Sequence, residues 1–417
     1  MRSRKLTVAA GAAAMLMSLA ACGGGESTSA DGKVSLTYGV WDVTQVPTVK
    51  KIIAAFEKKN PKIEVTVQQT PYEQYFTKLQ TAAGGGQAPD VFWMNGPNFQ
   101  LYASNGMLEP LSSLKTDTSV YPESLVDLYT YKDELYGLPK DMDTVGLWYN
   151  KKLFDAAGVD YPDSDWTWSD FQQAAKKLTD PAEDVYGIGA TLTGQEGWYD
   201  TIAQAGGSVI SADGKKSGYG DARTIEGLKF WTDLIDDKVS PTLKQMTDTQ
   251  PIDMFESGKI AMFWGGSWDA VRFDANDAIK DSVDVSVLPE GEKRATVIHG
   301  VANVVSAKSS HKTEAEKFEQ FLGSKEAAEI AASTGTVIPA YDGTQDAWLK
   351  AHPKLHLQNF LDQLDYAVPL PVSGNTAAWN TLELAQLTKA WNGSEPVDKA
   401  AKELAKQMDA ALAKEQG

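Results

Sequence analysis

Two stretches decide the fold: VSLTYGVWD at residues 34–42 and PDVFWMNGPN at residues 89–98. In the first, Val34, Leu36, Tyr38 and Val40 alternate with small or polar residues, and that period of two predicts a strand ending at Trp41-Asp42. Val49, Ile52, Ile53 and Phe56 then recur at helical spacing until Asn60-Pro61 stops them. Ile63, Val65 and Val67 predict a second strand, and residues 72–83 a second helix closed by Gly84-Gly85-Gly86. Pro89-Asp90 opens a third strand, Val91-Phe92-Trp93-Met94. Strand, helix, strand, helix, strand is the pattern of a doubly wound α/β domain. Ligands of such sheets bind beyond the carboxyl ends of the strands. Here those ends carry Trp41-Asp42 and Asn95-Gly96-Pro97-Asn98.

Upstream, the single cysteine of the 417-residue chain stands in Leu19-Ala20-Ala21-Cys22, before GGGESTSADG. One cysteine forms no internal disulfide. Arg2, Arg4 and Lys5 precede an uncharged apolar run over residues 6–21, the layout of a secretory signal peptide and too short for a transmembrane helix. Leu-Ala-Ala-Cys resembles the bacterial lipobox, in which the cysteine is lipidated and becomes the mature N-terminus. Residues 1–21 are then signal peptide, and residues 22–32 are the lipidated Cys22 and a flexible linker. The alternative is a secreted chain with an incidental cysteine. Removing residues 1–21 leaves 396 residues with 36 basic against 56 acidic side chains, a net charge of −20. Such a surface repels nucleic acid phosphates and anionic lipid, so nucleic acid is not an expected partner and the membrane is met through the anchor only.

The rest of the chain continues the α/β theme. ELYGLPKDMDTVGLWYN, residues 134–150, is extended with no helical period. Helices are predicted over residues 168–178 and 224–236, with Thr167 and Asp221 as N-caps. Residues 258–268 give a strand and a glycine turn, Val283, Val285 and Val287 another strand, and residues 297–307 one more. Helical patterns return over residues 312–322 and 396–413, where Val397, Ala401, Leu404, Met408 and Leu412 share one side.

Five ordered segments then carry a family resemblance: Pro89-Asp90-Val91 with ASNGMLEPL at 103–111; Gly137-Leu138-Pro139 with YNKKLF at 149–154; FESGKIAM at 255–262 running to Gly266-Ser267-Trp268; residues 300–308 with 318–324; and residues 335–339. In these the chain resembles the extracellular solute-binding proteins of carbohydrate-uptake ABC importers, in the layout of their maltose-type members. The resemblance implies two doubly wound α/β lobes joined by hinge strands, with the ligand cleft between them (periplasmic binding protein-like type II). It places residues 33–141 plus 298–341 in the first lobe and 142–297 plus 342–417 in the second, with crossings near 141–144, 297–301 and 341. It further implies a monomer without cofactor, metal or enzymatic activity, lipid-anchored outside the bacterial cell membrane. Its partners are an oligosaccharide and the permease subunits of an importer.

A sugar offers apolar faces rimmed by hydroxyls, so its site needs flat aromatics beside carboxylates and amides. Aromatic candidates are Trp41, Trp198, Trp264, Trp268 and Trp379, each read at a loop end or helix start, although a lone Trp is more often core. The family motif singles out Trp268 and its neighbour Gly266, and Trp379 resembles the late aromatic that stacks on sugar in maltose-type proteins. Polar candidates are Asp42, Asn95, Glu196, and the pair Asp141 and Asp143, which share one face of a strand. His299 and Gly300 stand at a proposed crossing, the glycine allowing a close approach of backbone to ligand. Pro97-Asn98 occupies the place of an acid–base pair in maltose-type members, so maltose itself is not implied. Two rivals stand beside this reading: a secreted glycoside hydrolase, which also needs aromatics and two carboxylates, and the same fold binding a non-sugar solute. Four scattered His, the lone Cys and the lack of a calcium-loop run disfavour metals.

Overall fold

The computed structural model describes residues 32–415; the signal segment, Cys22 and linker residues 23–31 lie outside the described residues. Five strands form the first sheet, in the order Ile63–Gln69, Val34–Val40, Val91–Asn95, Val301–Val305, Gly137–Pro139. The first three run parallel, as a doubly wound sheet requires, and Val301–Val305 is antiparallel to both its neighbours. Val46–Lys59 packs Val49, Ile53 and Phe56 onto this sheet from one helical face. Pro47 fits its first turn, and Lys58 and Lys59 complement the helix dipole at its end. Asp90 of the Pro89-Asp90 motif fastens the sheet: its carboxylate accepts from the amide and hydroxyl of Thr37, each at 2.8 Å, and from Ser309 Oγ at 2.6 Å.

A second sheet orders Val283–Ser286, Val145–Asn150, Ile260–Gly266 and Tyr186–Ile188. Val145–Asn150 is buried throughout and antiparallel to both neighbours. Trp168–Leu178 begins with a capping box between Thr167 and Asp170, and Asp221 accepts from the Arg223 amide at the start of Ala222–Asp236. Helices Thr376–Trp391 and Val397–Lys414 complete this half.

Three segments join the two sheets side by side. The chain leaves Gly137–Pro139 through Asp141–Met142 to Val145–Asn150, returns from Thr296–Ile298 to Val301–Val305, and leaves again past Ile338–Pro339. Asp141–Met142 pairs with Ile338–Pro339, and Asp143 bridges His299 through two backbone hydrogen bonds of 2.8 and 3.2 Å. The strand expected over 297–307 is therefore broken at His299-Gly300. A Cβ at position 300 would collide with the carbonyl oxygen of Asp141. The close approach that needs this glycine is that of one crossing strand on another.

One further difference bears on the cleft. Asn95-Gly96-Pro97-Asn98, read as a strand end, continues directly into helix Gly96–Ser104 with Pro97 in its first turn. Proline is compatible with that position, so it marks a helix start here.

Candidate ligand-binding cleft

A cleft of about 680 Å³ opens where the two sheets meet. Trp41, Asp42, Tyr72 and Asn95 reach it from the first sheet's side, Asp141, Asp143 and His299 from the crossing segments, and Gln195, Glu196, Trp268 and Arg272 from the second. Trp41 follows the last residue of its strand and is braced edge-on by Trp93, Tyr75 and Tyr72, with ring centroids at 5.0, 5.1 and 5.7 Å. That arrangement suits the quadrupoles of the rings and fixes the indole. Four large hydrophobic residues are exposed among the described residues, and two of them, Val43 and Tyr72, line the cleft. The cleft thus presents some apolar surface to solvent.

The polar candidates differ in how far their groups are already engaged. Asp42 caps the turn Val43–Gln45, accepting from Thr44 N at 2.8 Å, Thr44 Oγ1 at 2.7 Å and Gln45 Nε2 at 2.9 Å. Asp141 accepts from Val301 N at 2.7 Å and pairs with Lys140, whose ammonium also lies 4.3 Å from the ring centre of Trp93. Asn95 donates to Tyr72 Oη at 3.2 Å and accepts from Asn98 Nδ2 at 2.9 Å. Burial pushes the carboxyl of Asp143 up to about 6, the ring of His299 opposing and the charges of Asp141 and Glu196 adding. Glu196 accepts from Thr193 Oγ1 at 2.7 Å and rides on an irregular π-type turn, Gly194–Trp198. Glu196 itself has non-helical backbone angles within that turn. Arg272 is spent on Glu256 and Asp253, with contacts of 2.5–2.8 Å.

Trp268 is half-buried at the start of Asp269–Asp274, its ring lying directly on the backbone of Gly266. Any Cβ at position 266 would enter that ring. Gly266 therefore does not line the cleft itself; it seats the aromatic that does.

Three expected contacts lie elsewhere. Trp198, Trp264 and Trp379 are 1%, 2% and 0% exposed in the second lobe's core. Trp198 donates to Tyr219 Oη at 3.0 Å and Trp379 to Ser373 Oγ at 2.8 Å, so their polar edges are satisfied internally. Trp264 packs on Trp231 at 4.8 Å. Their glycine- and serine-rich neighbours read as loops, whereas tertiary packing folds those segments over the core. Conversely, the sequence reading passed over Tyr72, Gln195 and Arg272. Tyr72 follows the second strand's carboxyl end, so the rule that pointed to Trp41 also reaches it. Gln195 adjoins Glu196, and nothing in the sequence marks Arg272.

Residues 41–329 match the family model of the bacterial extracellular solute-binding protein. The chain belongs to that family. This solute-binding protein is 28% identical over 448 residues to the diacetylchitobiose binding protein DasA of Streptomyces coelicolor, spanning 99% of this chain and 100% of the relative. It is 26% identical over 352 residues to the galactooligosaccharide-binding protein of Bacillus subtilis, 81% of each chain. Its structure superposes with a TM-score of 0.86 on the ABC substrate-binding protein Lmo0181 of Listeria monocytogenes in complex with cycloalternan, at 32% identity over 91% of this chain and 99% of that one. The solute-binding protein thus has the two-lobed α/β fold of ABC-transporter substrate-binding components. Among its described residues no helix is long and apolar enough to cross a membrane.

Proposed function

We propose that the protein captures an oligosaccharide in this cleft and delivers it, unaltered, to the permease of an ABC importer. The observation that carries the reading is the pairing of braced aromatics, Trp41 and Tyr72 from one lobe with Trp268 from the other, around a rim of amides and carboxylates. Aromatic faces suit sugar rings, and Asn95, Asp143 and Glu196 suit their hydroxyls. A ligand that touches both lobes favours the closed form, because only there are all contacts made. Relatives whose names or titles specify diacetylchitobiose, galactooligosaccharide and cycloalternan support the same class. The absence of turnover is supported by the solute-binding family to which the chain belongs. The lobes we assign are residues 33–141 with 298–341 and 142–297 with 342–417, acting as a monomer.

The test is a melting panel of oligosaccharides, amino acids, polyamines and metal ions. At a hundredfold excess over Kd a ligand stabilises by ~2.7 kcal/mol, and each kcal/mol moves Tm by roughly 2–4 °C in domains of 150–250 residues, the size of one lobe. A few oligosaccharides are expected to shift Tm, and mass spectrometry to recover them intact. Cleaved sugar transfers the case to a glycoside hydrolase, and shifts with ions or amines alone discard the carbohydrate.

We also propose that Cys22 carries the lipid that holds the protein outside the cell membrane. The support is the Leu-Ala-Ala-Cys sequence behind a charged and apolar leader. Fatty-acid labelling is expected to be lost in Cys22→Ser; label retained in that variant contradicts the anchor.

A further inference from the structure

We propose that His299 and Gln195 are positioning residues: with Asp143 they form a polar relay, hydrogen-bonded at its two ends and joined in the middle by a longer His299–Asp143 electrostatic contact, that crosses the cleft from one lobe to the other and holds the Asp143 carboxylate toward the ligand. The binding test rests on the saccharide reading above.

The links run in order. The backbone N–H of Gly96, first residue of the helix behind the first sheet, donates to His299 Nε2 at 3.2 Å. An N–H can only donate, so Nε2 accepts, and the neutral imidazole carries its hydrogen on Nδ1. Nδ1 faces Asp143 Oδ2 at 3.8 Å. On the far side, Gln195 Nε2 donates to Asp143 Oδ1 at 3.0 Å. His299 and Asp143 are 6% and 7% exposed, so water competes weakly with these contacts. Each link sits where the lobes articulate. Gly96 belongs to the first lobe, His299 and Asp143 are paired crossing segments, and Gln195 rides the irregular turn that also carries Glu196.

The relay is complete in one protonation state. Around Asp143 stand Asp141 with its partner Lys140, Glu196, the hydroxyl of Tyr129, and Arg272 across the cleft, already bound to Glu256 and Asp253. Burial and the two neighbouring carboxylates bring Asp143 to about 6. A proton added there sets a hydroxyl against His299 Nδ1–H, or, if the ring changes tautomer, Nε2–H against the Gly96 amide. Turning the Gln195 amide so that its oxygen accepts is the remaining escape, and it withdraws Asp143 as a charged acceptor for the ligand. Binding that uses the ionised carboxylate is therefore full well above pH 6 and declines as pH falls through that value.

Two measurements test the relay. In the unliganded full chain at neutral pH, nitrogen-15 spectra of the four histidines, with His299 assigned by its loss in His299→Asn, are expected to show the Nδ1–H tautomer. An Nε2–H tautomer overturns the relay. With a saccharide that raises Tm, affinity is expected to fall about tenfold per pH unit below pH 6, to be pH-independent in Asp143→Asn, and to be weaker in Gln195→Leu with a displaced titration midpoint. A flat wild-type profile, or an unchanged slope in Asp143→Asn, overturns it. If no saccharide shifts Tm, the proposed function fails, while the histidine spectra still decide the relay.

Discussion

Replacing Trp268 by alanine is expected to weaken saccharide binding about 30-fold while the free protein remains folded. The indole is half-buried, lies on Gly266 and borders the cleft, so one face is braced by backbone and the other is available to a ligand. Removing a pre-positioned aromatic at the centre of an interface costs ~2 kcal/mol or more, and every 1.4 kcal/mol is tenfold in affinity. Trp264→Ala provides the contrast. That residue stands on the same glycine-containing segment but is enclosed by Trp231, Phe230 and Phe171, with ring centroids at 4.8, 5.8 and 6.0 Å. Its loss is expected to cost about 3–5 kcal/mol of stability through the cavity left behind. Calorimetry and denaturant unfolding on both variants separate the roles. Unchanged affinity in Trp268→Ala would place that ring outside the binding surface.

The second large effect is a dependence of stability on pH at Glu319. This residue on helix Lys312–Leu322 is fully buried, accepts from Leu138 N at 3.2 Å through one oxygen, and has no partner for the other. Burial raises its carboxyl to about 8, the Leu138 amide offsetting part of that. The folded value lies above the unfolded one, so the group's contribution is complete below pH 4.5 and is lost as pH rises toward 8. At 1.36 kcal/mol per unit the loss is on the order of 5 kcal/mol. Glu383, held by Tyr199 and Tyr219 and pushed by burial to about 7, acts in the same direction. Glu319→Gln keeps an acceptor for Leu138 without the charge. Its stability relative to wild type is expected to improve by several kcal/mol between pH 5 and pH 8.5 in denaturant unfolding. A difference that stays constant across that range would contradict the assignment.

Local patterns carried the fold a long way because they coincide with tertiary needs. The alternation at Val34–Val40 matches a strand with neighbours on both sides, and Thr167 and Asp221 cap the helices where they were expected. What escaped was long-range. The break at His299-Gly300 is set by the approach of Asp141, a residue 159 positions away, and has no local signature. The cleft shows the same division. Trp41, Asp42 and Asn95 were legible because strand ends are. Trp198, Trp264 and Trp379 were misplaced because a glycine-rich flank looks like a loop whether or not a core closes over it. Gln195 owes its place to an irregular turn, and Arg272 to a short helix after Trp268, neither of which has a periodic signal.

The central claim is that two lobes close on a saccharide held between them, and small-angle scattering tests it most directly. With a Tm-raising oligosaccharide at saturating concentration, the radius of gyration is expected to fall relative to the unliganded protein. Closing the hinge at residues 141–144 and 298–301 brings the two sheets together. An unchanged radius with the sugar demonstrably bound would contradict closure, and with it the account of a cleft completed by both walls.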